Sequence, residues 1–385
     1  MARDHQRDNN VYVLGAGFSR DAGLPLVAGF LQAARELYDR PGQHLSSELY
    51  AHFDSVFKFR QETRHARDIV NLRLEDIEVL FSLAEMSALL RGRSRSGILR
   101  SIRHLIGHTV SAIPQRLGRI RFQLTKAAFD VAQGRDSLAP FSLENSAMSG
   151  ADPVVLEMDE YAFAVAVLTG MCDPARPASR DSFITFNYDL VLEDAIARLG
   201  YRPDYGLSRV QWQTTPDQHQ LSVPVLKLHG SANWARVRRR GVRARICQTY
   251  ADAGDSIEPV IVPPTWKKGE LGPLLQEVWA KAHKAIVQAT RLCIIGYSLP
   301  ETDLYFQYLL TSALVENPGL YGVTVVDADG SGKLQDRYRS LFGPVADYGR
   351  FNYMGGGLLG FLSGGGFRAL DRGTMVGGMQ CYGPG

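Results

Sequence analysis

Six short, largely apolar runs punctuate the chain: Val11–Leu14, Ser182–Phe186, Val223–Leu228, Val260–Val262, Leu292–Ile295 and Val323–Val326. Each is too short for a helix and shows no in–out alternation. That is how strands read when a parallel sheet buries both of their faces. Helical patterns fall between several of them, at Leu26–Tyr38 with Pro25 at its start, Leu190–Leu199, Leu274–Ala289 and Thr302–Leu314. Strand–helix alternation of this kind predicts an α/β protein with a Rossmann-like, doubly wound parallel sheet.

Two regions break the alternation. Residues 41–150 hold no convincing strand, while Leu74–Leu90 and Ile98–Ile113 place apolar residues at helical spacing. They read as a large helical insertion, with the polar stretch Gly134–Gly150 as its exit loop. Residues 1–40 and 151–350 then make up the α/β part. The end, 351–385, is a glycine-rich tail with the runs Gly355–Gly357 and Gly364–Gly366. Dense glycine carries a large ordering entropy and predicts a loosely ordered segment. Its interleaved Met354, Leu358, Leu359, Phe361 and Phe367 leave docking in an oligomer as the alternative.

Composition changes this picture little. A chain of 385 residues, 45% hydrophobic and 22% charged, is ordinary for a globular protein with a real core. The net charge of +3 gives no argument for nucleic-acid or membrane partners. The apolar run after the polar start is too short for a membrane span and lacks a signal-peptide layout, so a cytoplasmic location is expected. The four cysteines, Cys172, Cys247, Cys293 and Cys381, form no C-x-x-C pair, and no metal is expected. Cys293, inside an apolar run, reads as a small buried hydrophobe.

Candidate chemistry gathers at the strand ends. The first strand runs into Gly15–Ala16–Gly17–Phe18–Ser19–Arg20–Asp21–Ala22–Gly23–Leu24–Pro25. A glycine turn between strand and helix lets backbone approach a pyrophosphate, with amides turned toward the charge. The dehydrogenase fingerprint fails, because Arg20 holds the third glycine position and no ribose-binding acid ends a second strand. The next strand ends in Asn187–Tyr188–Asp189, two polar side chains at the sheet's carboxyl edge; a turn with Asp189 capping the next helix is the alternative. Val225–Leu228 ends in His229–Gly230, an imidazole able to accept a proton near neutrality. Leu292–Ile295 ends in Gly296–Tyr297–Ser298, and Val323–Val326 in Asp327, which could equally cap a turn.

These five segments, in this order, resemble the sirtuin family. The glycine loop matches its G-A-G-x-S-x-x-A-G-x-P opening, and Thr185, Asn187 and Asp189 match its T-Q-N-I-D segment, with Phe186 and Tyr188 replacing glutamine and isoleucine. The resemblance implies NAD as substrate. It places Gly15, Ala16, Gly17 and Ser19 around that substrate, together with Gly296, Ser298 and Asp327 on the adenosine side and Asp189 near the nicotinamide carboxamide. Asn187 would align ribose and water, and His229 would act as general base.

The chain also departs from the protein deacylases of that family. Where they carry a four-cysteine zinc module, this sequence has Arg236, Arg238, Arg239, Arg240, Arg243 and Arg245 around a single Cys247. That cluster reads as a solvated hairpin or loop, with a phosphate-facing or partner-facing patch as the alternative. Leu26, Val27 and Ala28 replace the acid, aromatic and arginine that follow the proline, and Pro263–Trp266 stands where the acyl-lysine channel begins. The resemblance is therefore to divergent bacterial NAD hydrolases of anti-phage defence. These act as homo-oligomers or beside a partner such as a DNA-translocase-type ATPase. The expected reaction is hydrolysis of NAD+ to nicotinamide and ADP-ribose. An ADP-ribosyltransferase and a non-catalytic NAD or ADP-ribose sensor are the alternatives.

Overall fold

The computed structural model describes residues 9–40, 45–67, 69–91, 96–124, 154–169, 181–217, 219–237, 241–254, 258–262, 272–300, 303–363 and 381–382. The expected exit loop Gly134–Gly150, Cys172, Arg238–Arg240, Pro263–Trp266, Thr302, Gly364–Gly366 and Phe367 lie outside them.

In chain order the strands are β1 (Asn10–Leu14), β2 (Arg119–Leu124), β3 (Val154–Asp159), β4 (Ser182–Thr185), β5 (Arg202–Asp204), β6 (Val210–Trp212) and β7 (Ser222–Lys227). They continue as β8 (Gly230–Arg236), β9 (Ala244–Ile246), β10 (Pro259–Ile261), β11 (Arg291–Ile295), β12 (Gly322–Val326), β13 (Phe351–Met354) and β14 (Cys381–Tyr382). Seven of them form one parallel sheet in the order β13-β12-β11-β1-β4-β7-β5. The chain leaves β1 toward β4 and β7, then returns to build β11, β12 and β13 on the other side. That reversal puts a topological switch point between β1 and β11, where the carboxyl ends open a crevice for ligands.

The continuous apolar runs have the burial that a doubly covered sheet requires. All five residues of β1 are buried, as are Leu292–Ile295 of β11 and Val323–Val326 of β12. Cys293 is completely buried, and that burial pushes its thiol well above the ordinary range, consistent with a packing role. One expected strand belongs elsewhere: Val260–Val262 appears as β10, antiparallel to β8 in a second sheet of order β10-β8-β9-β6.

Three further expectations need correction. Residues 41–150 do contain a strand: β2 pairs antiparallel with β3 and β14. Its sequence, Arg-Ile-Arg-Phe-Gln-Leu, alternates with period two, the signal of a strand with one covered face. The helix expected from Leu26 begins at Phe30, after a single 3-10 turn at Val27–Gly29. The tail expected from 351 begins as the edge strand β13 and continues into the helix Gly357–Ser363, which buries Leu358, Phe361 and Leu362.

The helices Phe30–Asp39, Ser47–Glu62, Ile77–Arg91 and Ser96–Ala112 share a second apolar core, centred on Phe53, Leu80, Phe81 and Ile106. Ile261 of β10 packs into it, and Arg103 donates to the Ile261 carbonyl at 3.1 Å. Among the described residues, no helix is long and apolar enough to cross a membrane.

Candidate active site

The floor of the switch-point crevice is glycine packed on glycine. A Cβ on Gly15 would stand 2.5 Å from the Gly296 carbonyl oxygen, and one on Gly17 would stand 2.7 Å from the Gly296 Cα. Gly296 has φ +63°, and a Cβ there would lie 2.3 Å from the Phe18 nitrogen. These contacts let the β1 loop and the β11 loop touch backbone to backbone. They also redirect the loop's amides. Gly15 donates to the Ile295 carbonyl at 3.0 Å, Gly17 to the Gly296 carbonyl at 2.8 Å, and Phe18 to the Gly15 carbonyl at 2.9 Å. Those three donors serve the fold, so they do not face an anion as the glycine pattern led us to expect. Tyr161 adds a brace from below: its hydroxyl donates to the Phe18 carbonyl at 2.9 Å and accepts from the Ala22 amide at 2.8 Å.

Beyond β4, Asn187 reaches back over this floor. Its Nδ2 donates to the Gly15 carbonyl at 3.0 Å and to the Ser19 Oγ at 3.1 Å, and its own amide donates to Thr185 Oγ1 at 3.1 Å. Ser19 Oγ in turn donates to Asp189 Oδ1 at 3.1 Å. The same carboxylate oxygen accepts from the Val191 amide at 3.0 Å, so Asp189, one residue before the N-cap Leu190, satisfies the first amide of the helix Val191–Arg198 while facing the cavity. Beneath it lies a buried ion pair that sequence reasoning missed. Lys227 Nζ donates to Glu193 Oε1 at 2.7 Å and to the Asp189 carbonyl at 2.6 Å. Burial holds the Asp189 and Glu193 carboxyls above their usual range, and the Lys227 charge pulls both back down.

His229 follows β7 and is buried. The next residue, Gly230, has φ +84°, and a Cβ there would lie 1.9 Å from the Val260 carbonyl oxygen. Only glycine fits where the chain turns from β7 of the main sheet into β8 of the second. The imidazole stands edge-on to Phe186, centroids 5.2 Å apart, and Phe186 stacks on Tyr297 at 4.3 Å. Tyr297 donates its hydroxyl to Asp303 Oδ2 at 2.7 Å, and Asp303 Oδ1 accepts from the Phe306 amide at 3.3 Å, capping Leu304–Val315.

These groups line one cavity of about 330 Å³. Of the residues singled out from sequence, Ala16, Gly17, Ser19, Asn187, Asp189, His229, Gly296, Ser298 and Asp327 reach its wall. Gly15 lies under the floor and touches the site through its carbonyl. Asp327 Oδ1 also caps the turn at Asp329, accepting from that amide at 2.8 Å. The wall includes residues the sequence reading did not place there: Arg20, Asp303 and Gly357, and Glu78, Phe81, Ile106 and Val110 from the helical region. Arg20 stands in the glycine motif, Asp303 in the helical pattern Thr302–Leu314 and Gly357 in the run Gly355–Gly357; nothing in the sequence marks the other four. Of the arginine cluster, Arg236 ends β8 and Arg243 precedes β9, the two strands of an antiparallel hairpin. Arg243 pairs with Glu277, and Arg236 lies 3.7 Å from Glu258.

Residues 181–340 match the family described as SIR2-like domain. No curated protein matches the chain. Among solved structures, a Sir2 homologue mutant in complex with ADP-ribose is 14% identical, with a TM-score of 0.36, over 95% of this chain and 93% of the other. Sir2 bound to an inhibitor, 2'-O-acetyl-ADP-ribose and a deacetylated p53 peptide is 13% identical, with a TM-score of 0.34, over 93% and 94%.

Proposed function

The chain is sirtuin-like, and from that premise we propose that it is an NAD+ glycohydrolase, releasing nicotinamide and ADP-ribose. The observation that carries this reading is the convergence of Asn187 and His229, from the ends of neighbouring strands, on one cavity floored by the glycine contact between β1 and β11. The bond to a pyridinium ring is already activated, because the leaving group departs neutral. A site need only align the ribose with water, steady developing positive charge and move one proton.

The side chains fit those tasks. Both hydrogens of Asn187 Nδ2 are committed to the Gly15 carbonyl and Ser19 Oγ, which leaves Oδ1 to accept a hydrogen bond from water or a ribose hydroxyl. His229 takes the proton released as water oxygen bonds to the ribose carbon and the nicotinamide nitrogen leaves. Asp189 presents a partly compensated negative charge at the same wall. The aromatic shell of Phe186, Tyr188 and Tyr297 keeps the imidazole out of bulk water.

Nicotinamide release from NAD+ by purified protein tests the reading, with wild type beside Asn187→Ala and His229→Ala. Release that falls about 100-fold or more in each variant is expected, the range in which positioned acid–base groups act. Tight ADP-ribose binding with no wild-type turnover would replace the hydrolase by a sensor. The cellular role we propose is that of an NAD-depleting effector in anti-phage defence, working as a homo-oligomer or with a partner ATPase. Infected cells carrying the wild-type chain should lose NAD+, and cells carrying Asn187→Ala should keep it.

A further inference from the structure

The glycine loop creates a problem for any diphosphate ligand. The amides of Gly15, Gly17 and Phe18 are spent on carbonyls of the protein itself. The charged side chains on the cavity wall include four carboxylates, those of Glu78, Asp189, Asp303 and Asp327. A dianionic diphosphate entering such a cavity meets net repulsion unless a cation stands against it. Among the described residues that line the cavity, only Arg20 is a lysine or arginine.

We infer that Arg20 is the residue that holds the phosphates of the ligand, an inference that rests on the NAD reading above. Arg20 directly follows the short helix Ala16–Ser19. Its guanidinium crosses toward the far side of the crevice, where a Cβ built on Gly357 would lie 3.6 Å from Nη2. Gly357 is tied to the end of β12, donating to the Asp327 carbonyl at 3.1 Å. Arg20 therefore spans the gap between the loop that seats Asn187 and the strand end that bears Asp327. A diphosphate joining a ribose at the first to an adenosine at the second must cross this gap. Asp21 steadies one edge of the guanidinium, with a single oxygen 3.1 Å from Nε and 3.0 Å from Nη2. No described residue engages Nη1, and the side chain is 43% exposed, so it can meet an anion without unfolding anything. A guanidinium fork suits phosphate oxygens, and lysine there would offer only a point charge.

The experiment measures binding of ADP-ribose, and of adenosine as a phosphate-free comparison, to wild type, Arg20→Gln and Arg20→Lys. ADP-ribose should bind Arg20→Gln about ten- to a hundred-fold more weakly than wild type, with Arg20→Lys in between. Adenosine affinity and the melting temperature without ligand should not change. Equal ADP-ribose affinity in wild type and Arg20→Gln overturns the inference and leaves the NAD reading intact. So does a parallel loss of adenosine binding, since that marks a collapsed site. Wild type that binds no ADP-ribose overturns the NAD reading itself, and this inference with it.

Discussion

Lys227 is almost completely buried, and its ammonium lies between the Glu193 carboxylate and the Asp189 carbonyl, directly under the edge that presents Asn187 and Asp189. Breaking a buried pair by removing one partner leaves an uncompensated charge. Lys227→Met should therefore cost about 3–5 kcal/mol, read by denaturant unfolding, and the double variant Lys227→Met with Glu193→Gln should recover much of it. Burial already raises the Glu193 carboxyl, and the Lys227 charge opposes that rise. Without the lysine, the folded carboxyl climbs further above its unfolded value. A raised folded pKa contributes stability that is full below the unfolded pKa and is lost as pH rises through the folded one. Lys227→Met should thus lie closest to wild type in mild acid and fall away as pH rises. A loss that stays constant across that range would mean that packing, not charge, is what the lysine supplies.

At the scale of elements, the glycine between β7 and β8 and the one that precedes the helix Lys333–Leu341 separate two kinds of constraint. Gly230 and Gly332 both have positive φ, at +84° and +80°, but a Cβ on Gly230 strikes the Val260 carbonyl oxygen while one on Gly332 meets nothing within 4 Å. Gly332→Ala should cost only the conformational penalty of about 1–2 kcal/mol. Gly230→Ala must also part β8 from β10 and displace His229, so it should lose more stability than that and nearly all activity. Thermal melts of the two variants, with nicotinamide release, check the difference. Equal losses would show that backbone conformation alone fixes the turn. The β1, β11 and β12 strands were legible to within a residue because both faces are buried and nothing interrupts the apolar run. β2 holds no continuous apolar run, only a period-two alternation, and β8, with Gly230, Ser231 and Asn233, has no hydrophobic pattern to read. The late start of the helix at Phe30 has a local cause: Leu24, Pro25 and Leu26 line the cavity wall without helical structure, and the 3-10 turn Val27–Gly29 follows them. The site residues were visible because each stands where an apolar run stops. Glu78, Phe81, Ile106 and Val110 were not, since in sequence they are ordinary positions of amphipathic helices.

For the whole molecule, those four residues bring the helical region into the wall of the site. The sheet and the helical region have separate apolar cores, joined by Ile261 and Tyr188 packing into the helical core, by Arg103 with Glu258, by His104 with the Tyr250 hydroxyl and by Gln115 with Asp194. The cavity is walled by both: Asn187, His229 and Gly296 from the sheet, and Glu78, Phe81, Ile106 and Val110 from the helices. A ligand that fills it touches both at once, so its binding energy is shared by the sheet and the helices. Ligand at 100 times its Kd stabilises the bound form by about 2.7 kcal/mol, and local opening of any element that must move to release it becomes harder by up to that amount. ADP-ribose should therefore slow amide exchange in Ile77–Arg91 and Ser96–Ala112 as well as at the ends of β1, β4 and β11. Hydrogen-exchange mass spectrometry resolves these segments separately. Protection confined to the strand ends would mean that the helical wall stands apart from the ligand. It would then be no part of how access to the site is controlled.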